Sequence, residues 1–365
     1  MREHAPVYFH PPAALPAFWS LTRYEDIRDV YRDPHRFSSA RGVLLRPLMS
    51  GDDPGGGLTL ALTNPPRHRL LRSLIAGWFT ERSARSLEHA IRDAARAALE
   101  RAMDLEECDF AHDVAARLSL FVICRLMGVP EDDHEAVFEW TTEAFEAGRP
   151  LATHQEFMRY FIDLMDQRLA KPTEDLVSAL VHATVNGEAL TDEEILLNCE
   201  NLVGATENAG LSMASGMLAF LEHPAEWRRL RMNRALLSTA VDEVLRWTSS
   251  ATHSMRTATA PCVLHGQKIE PGDRVVLWIP SGNRDPDAFP WAERFDITRR
   301  PNRHLALGVG EHVCIGSTMA RTQMRVLFSE LLDNVGRIEQ CGPVVPLKSI
   351  VVNGPARLPV RIFGS

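Results

Sequence analysis

Thr191 and Glu194 stand at the head of an apolar-rich segment that runs to Glu222, where His223-Pro224 follows. A threonine at the helix boundary and a glutamate three residues on bond to each other's backbone N–H groups, so the pair reads as a helix start. Proline cannot continue a helix interior, so Pro224 reads as the stop. At 1.5 Å per residue the segment predicts one unbroken helix of roughly 45 Å. A rod that long must cross the whole molecule, and the remaining chain has to be built around it.

Helical spacing of apolar residues dominates the first 250 positions. Ile27, Val30 and Tyr31 form a short face ended by Pro34. Pro66 precedes Leu70, Leu71, Leu74, Ile75 and Trp78, and Val114, Leu118, Phe121 and Val122 make a stripe that stops near Gly128 and Pro130. Beyond about residue 255 short β-like runs take over: Val275 to Ile279, and Ile350 to Val352 turning at Asn353-Gly354 toward Leu358 to Ile362. One amphipathic helix, from about Cys314 to Asp333, interrupts them. No βαβ alternation or Gly/Ser linker divides the chain. The expected fold is therefore mainly α with a small β subdomain, a single domain over 1–365, α-rich over about 20–250 and β-rich over about 251–365. The Gly-rich run at 50–57 reads as a mobile surface loop.

Forty Lys and Arg against 48 Asp and Glu give a net charge of −8, which argues against a nucleic-acid binder. Cys108, Cys124, Cys199, Cys262, Cys314 and Cys341 are scattered with no CxxC pair, which argues against a zinc ribbon or a disulfide framework. The proline-interrupted N-terminus lacks the apolar core of a signal peptide, and no window has the length of a membrane span. The expectation is a cytoplasmic protein without membrane contact.

The densest chemistry lies in Leu307-Gly308-Val309-Gly310-Glu311-His312-Val313-Cys314-Ile315-Gly316. A dinucleotide fingerprint fails here, because a third glycine would be needed at 313, where Val313 stands. The glycines instead let the backbone approach a bulky flat group, and Cys314 sits where a helix N-terminus favours thiolate. A thiolate ligand to haem iron would be built this way, and so would a buried structural cysteine.

This loop resembles that of the cytochrome P450 haem-thiolate monooxygenases of the soluble bacterial kind, usually written FxxGxHxCxG. Leu307 replaces the leading aromatic, while Gly310, His312, Cys314 and Gly316 match. The resemblance runs from about Trp19 to the C-terminus. It implies a P450-like fold with the long helix over haem b, Cys314 as the axial ligand, and the loop residues Leu307, Gly308 and Gly316 against the cofactor. It further implies that Glu243 and Arg246, the ExxR pair, join Arg294 in a buried network supporting the loop. His68 and Arg72, at i and i+4, are assigned to the haem propionates, with Arg256 and His312 on the opposite side. The implied reaction inserts one atom of O₂ into a small molecule of secondary metabolism. The resemblance implies electrons from NAD(P)H through a ferredoxin and ferredoxin reductase, and Arg67, Arg69 and Arg303 read either as a positive patch for an acidic ferredoxin or as solvated surface charge.

The long helix departs from the family pattern (Ala/Gly)-Gly-x-(Asp/Glu)-Thr, since Gly204-Ala205-Thr206-Glu207-Asn208 stands there. Glu207 keeps the acid and Asn208 replaces the threonine; both are the catalytic candidates. In a regular helix Thr206 is rotated by roughly 200° from residue 208 and cannot substitute. Asn208 can hold a water or a substrate group. Ser250, in the pocket-lining segment 248–253, replaces a common proline. The span between Pro130 and Thr191 is short for the family, suggesting an open mouth suited to a large or carrier-protein-bound substrate. Rival readings are oxidative coupling, peroxide-driven catalysis and a non-catalytic haem sensor or scaffold. The central helix lacks the arginine common in peroxide users.

Overall fold

The computed structural model describes residues 1–45, 52–145 and 151–364. Its helices follow the apolar spacing closely. Helix α1 (Tyr24–Arg32) buries Tyr24, Ile27, Val30 and Tyr31, and α2 (Arg67–Ile75) follows Pro66 and buries His68, Leu71 and Ile75. Helix α3 (Glu81–Met103) is capped by the Thr80 hydroxyl, which accepts from Ser83 N. A π-helical turn, Phe110–Ala116, leads into α4 (Arg117–Met127), which ends at Gly128. Only glycine serves there: φ is +74°, and a Cβ would lie 2.1 Å from Asp175 Oδ2.

Helices α5 (His134–Phe145), α6 (Leu151–Ala170) and α7 (Leu176–Val181) follow. The 146–150 stretch between α5 and α6, on which the open-mouth expectation rests, lies outside the described residues. Of the Gly-rich run at 50–57, Ser50 and Gly51 also lie outside them. The remainder forms turns tied down by Asp53 N donating to Arg41 O and by Gly56 packed on Ala40.

The capping box forms as predicted, with both reciprocal bonds between Thr191 and Glu194. The single helix does not. Two helices stand in its place, α8 (Asp192–Gly204) and α9 (Glu207–Glu222), separated by a turn at Ala205 and Thr206. The Thr206 hydroxyl donates back to Val203 O at 2.6 Å, a local bond that competes with the helical ladder. The Thr206 carbonyl accepts from Ala209 N, Gly210 N and the Ser119 hydroxyl of α4. The ladder therefore breaks where side-chain hydroxyls offer the backbone other partners.

After α9 come α10 (Pro224–Met232), α11 (Leu237–Thr248), the short α12 (Ile279–Asn283) and α13 (Ser317–Asn334). Helix α9 runs close enough to α11 and α13 that a Cβ on Gly216 would lie 2.6 Å from Val244 Cγ1 and 3.0 Å from Phe328 Cζ. Phe220 packs edge-on to Phe295 and Phe328 at 5.4 Å each. Such pairs add about 0.5–1.5 kcal/mol each beyond area burial, fixing the helix crossing.

The largest sheet is ordered Val7–His10, Phe18–Leu21, Arg274–Trp278, His253–Ala258, Phe37–Ser38, with only the second and third strands parallel. The run predicted at Val275 to Ile279 appears as the strand Arg274–Trp278, with Ile279 opening α12 instead of ending the strand. Ile350 to Val352 makes no strand. Its backbone is used to clamp the 250–252 segment: Thr252 N donates to Val351 O and Asn353 N to Ser250 O. Among the described residues no helix is long and apolar enough to cross a membrane.

Candidate functional site

A cavity of about 410 Å³ opens between α4, the α8–α9 break, α9, the 250–256 segment and the cysteine loop. Tyr31, Ser119, Thr206, Asn208, Ser212, Ser250, Arg256, Leu307, Gly308, His312, Cys314, Gly316 and Gln323 are on its wall. Residues more than 250 positions apart thus converge on Cys314.

The loop that presents Cys314 is closed by its own backbone. Cys314 N donates to Leu307 O at 2.8 Å, Val313 N to Gly310 O at 3.1 Å, and Ser317 N to Cys314 O at 3.2 Å. Gly308 and Gly310 take φ of +64° and +80°, and a Cβ on Gly310 would sit 2.8 Å from Tyr31 O. Gly316 differs from the expectation: its φ is −80°, open to any residue, and a Cβ there would meet only the Cys314 sulfur, at an ordinary 3.9 Å. Cys314 precedes α13 by three residues. Burial pushes its thiol up, while the Gly316 N–H and the Arg72 guanidinium pull it down.

Three buried imidazole nitrogens around this cavity have no partner: both of His68 and Nε2 of His312. The two rings lie 4.1 Å apart. Burial and the neighbouring cations push both below the ordinary histidine range, His312 to about 3. Arg256 is buried, donates to Ser254 Oγ and Met255 O at 2.7 Å, and lies 5.2 Å from the Tyr31 ring centroid. Burial lowers both Arg72 and Arg256. Two cations and two imidazoles with unmet nitrogens suit anionic groups brought in by a ligand. The donor set and the half-buried, cavity-facing cysteine therefore fit a haem with its two propionates.

Beneath the loop, Glu243 and Arg246 are fully buried. Arg246 Nε and Nη2 grip Glu243 at 2.8 and 2.9 Å, and Nη1 donates to Asn283 O and Ala292 O. The third member is not Arg294, which offers only its backbone carbonyl, at 3.1 Å. Arg299 takes that place, its Nε 3.1 Å from Glu243 Oε2, with Asn302 Nδ2 at 3.0 Å. The loop after α12 turns so that Asp296 N reaches Glu243 first, which carries the side chain of residue 299 inward. Nothing in the sequence spacing distinguishes residue 294 from residue 299.

The expected basic patch is largely neutralised: Arg67 pairs with Glu194 and Arg69 with Glu311. The two catalytic candidates are successive residues at the start of α9, yet they face different cavities. Asn208 lines the cysteine's cavity, whereas Glu207 lines a second one of about 170 Å³ with His112, Phe138 and Gly210. Ser119 and Thr206 line both. Thr206 is thus not turned away from the side of Asn208, because the regular helix assumed for that rotation is absent. Burial raises Glu207 to about 7, and its Oε2 has no partner. Asn208 Oδ1 and Gln323 Oε1 are likewise unpartnered. Gln323 was missed because on α13 it reads as one polar residue of an amphipathic pattern.

A family model described as cytochrome P450 matches residues 140–336. The chain is 32% identical to cytochrome P450 NovI of Streptomyces niveus, over 100% of this chain and 92% of that protein. Among solved structures it is similar to P450 OxyD, involved in the biosynthesis of vancomycin-type antibiotics, with TM-score 0.92, 32% identity, and 98% and 93% of the two chains covered. It is also similar to P450BioI, solved with a fatty-acid-ligated acyl carrier protein, with TM-score 0.88, 28% identity, and 99% and 96% covered.

Proposed function

Because the chain belongs to the cytochrome P450 family of monooxygenases, we propose that it holds haem b on Cys314 and inserts one atom of O₂ into a small molecule of secondary metabolism. The observation that carries this reading is the half-buried Cys314 sulfur in one cavity with Arg256 and His312, flanked by His68 and Arg72. In this reading NAD(P)H supplies electrons through a ferredoxin and its reductase, a supply that places the protein in the cytoplasm. Residues 1–365 act as one unit, which the cavity supports by drawing its wall from both the helical and the β-rich parts. A carrier-bound substrate is the second reading, favoured by the likeness to P450BioI.

When bound, haem supplies oxygen binding and activation, which thiolate donation assists. The chain's own part is to hold, orient and protonate. Arg72, Arg256, His68 and His312 hold the propionates, and the backbone-closed loop fixes the sulfur. Glu207, poised near neutrality, can carry a proton at its carboxyl group. Asn208 can donate and accept hydrogen bonds, but its N–H is not acidic, so a polar group of the substrate completes the proton path.

Reconstitution with a surrogate ferredoxin and reductase tests this. The expected result is substrate-dependent NAD(P)H consumption with an oxygenated product. Asn208→Thr should lower hydrogen peroxide release with substrates that lack a polar group and change it little with those that have one. Haem binding without any substrate-dependent consumption would favour the sensor reading.

A further inference from the structure

Two serine hydroxyls meet in this cavity from different elements. Ser212, on α9, and Ser250, in the loop after α11, lie 2.9 Å apart, and both are buried. Ser212 Oγ is also 2.7 Å from Asn208 O, one helical turn back. The pair therefore has two proton arrangements. If Ser212 donates to Asn208 O, Ser250 donates to Ser212 and shows a ligand only lone pairs. If Ser212 donates to Ser250, the Ser250 proton is free to donate.

The pair is held in place from several sides. Asn353 N donates to Ser250 O at 2.7 Å, and Asn353 Nδ2 reaches Thr248 O at 3.3 Å. Asn283 Nδ2 holds the preceding residue's hydroxyl, Ser249 Oγ, at 2.9 Å. Gly354 presses onto α9 so closely that a Cβ would lie 3.0 Å from Leu211 Cδ2 and 3.1 Å from Ser215 Oγ. A loop clamped on both flanks places a hydroxyl with little freedom, which lowers the ordering cost of binding.

Of the ionisable groups on the cavity wall, His312 and Cys314 belong to the cofactor side described above, and Arg256 and His253 bond to other partners. Arg256 donates to Ser254 and Met255, and His253 sits between Leu45 N and Ile350 O. Among the described residues no charged side chain bonds to the serine pair. An ionised ligand group placed there would lose its water against neutral hydroxyls alone, which is unfavourable. An alcohol both donates and accepts, as the pair does; a ketone only accepts.

We propose that Ser212 and Ser250 form a substrate anchor that selects a neutral hydroxyl group. This deepens, and rests on, the monooxygenase reading above, since it names the substrate class of that cavity.

The test uses four probes of one skeleton on the haem-loaded protein: menthol, menthone, p-menthane and menthane carboxylate. Binding is measured by calorimetry and by the Soret shift. Menthol should bind about tenfold tighter than p-menthane, the worth of one neutral hydrogen bond. Menthone should fall between them, and the carboxylate should bind weakest. Ser212→Ala and Ser250→Ala should each remove the preference for menthol while leaving the p-menthane affinity within about twofold, which also shows that the variants fold. Menthol binding no tighter than p-menthane, whether both bind or neither does, would overturn the anchor. So would a menthol preference that survives in both variants, or a preference for the carboxylate. Failure of the monooxygenase reading is seen separately, as absence of the thiolate signature in the carbon monoxide complex of the same preparation.

Discussion

The cysteine loop and the α8–α9 break line one cavity and are held in opposite ways. The loop's backbone is met, since Cys314 N, Val313 N and Ser317 N have backbone partners and the buried Glu243 below accepts from Arg246, Asp296 N, Arg299 and Asn302, while its unmet groups are the cofactor-side imidazoles of His312 and the neighbouring His68. At the break the ladder is interrupted, and Glu207 Oε2 and Asn208 Oδ1 are unmet. Buried polar groups without partners are uncommon in folded proteins and mark places where a ligand, water or proton is handled. The difference separates a scaffold that fixes the sulfur from a wall that meets the substrate.

The largest expected effect breaks the scaffold side. Arg246→Ala leaves the Glu243 carboxylate buried without its main partner and should cost about 3–5 kcal/mol or prevent folding. Arg299→Ala should follow, while Arg294→Ala, whose contribution to the network is a main-chain carbonyl, should stay within about 0.5 kcal/mol. Urea unfolding ranks the three, and equal losses at 294 and 299 would contradict the geometry.

On the other side, Glu207 is buried with its carboxyl raised to about 7. The folded state therefore binds its proton more tightly than the unfolded chain does. Stability is unaffected by this group in acid, and it falls as pH rises from the ordinary glutamate range through about 7. Glu207→Gln should match the wild type near about pH 4 and be more stable above about pH 8, by about 1–3 kcal/mol. An unchanged pH profile of stability would show the acid to be solvated. The smallest effect concerns the break itself: Ser119→Ala removes one bond to Thr206 O and should cost about 1 kcal/mol, with the turn retained through Ala209 N and Gly210 N. A loss near zero would move the cause of the break to Thr206 alone.

How far the sequence could be read follows the same division. The loop was legible because its signals are local, closely spaced glycines and a cysteine just before a helix start, and so were the outer ends of the α8–α9 segment, marked by a capping box and a proline stop. The break was not, because both halves carry the same apolar pattern and one of its causes, Ser119, lies 87 positions away on α4. The placement of Arg299 depends on the path of an irregular loop, which periodicity does not encode. The Ser212–Ser250 contact joins a helix to a loop 38 positions on, and neither serine stands out on its own element.

The most direct measurement is the absorption spectrum of the ferrous carbon monoxide complex in the wild type and in Cys314→Ala. The expected result is a strongly red-shifted Soret band in the wild type that vanishes in Cys314→Ala and persists when Cys108, Cys124, Cys199, Cys262 or Cys341 is replaced by alanine. A band that survives in Cys314→Ala, or that the wild type lacks, would contradict the assignment of Cys314 as the ligand.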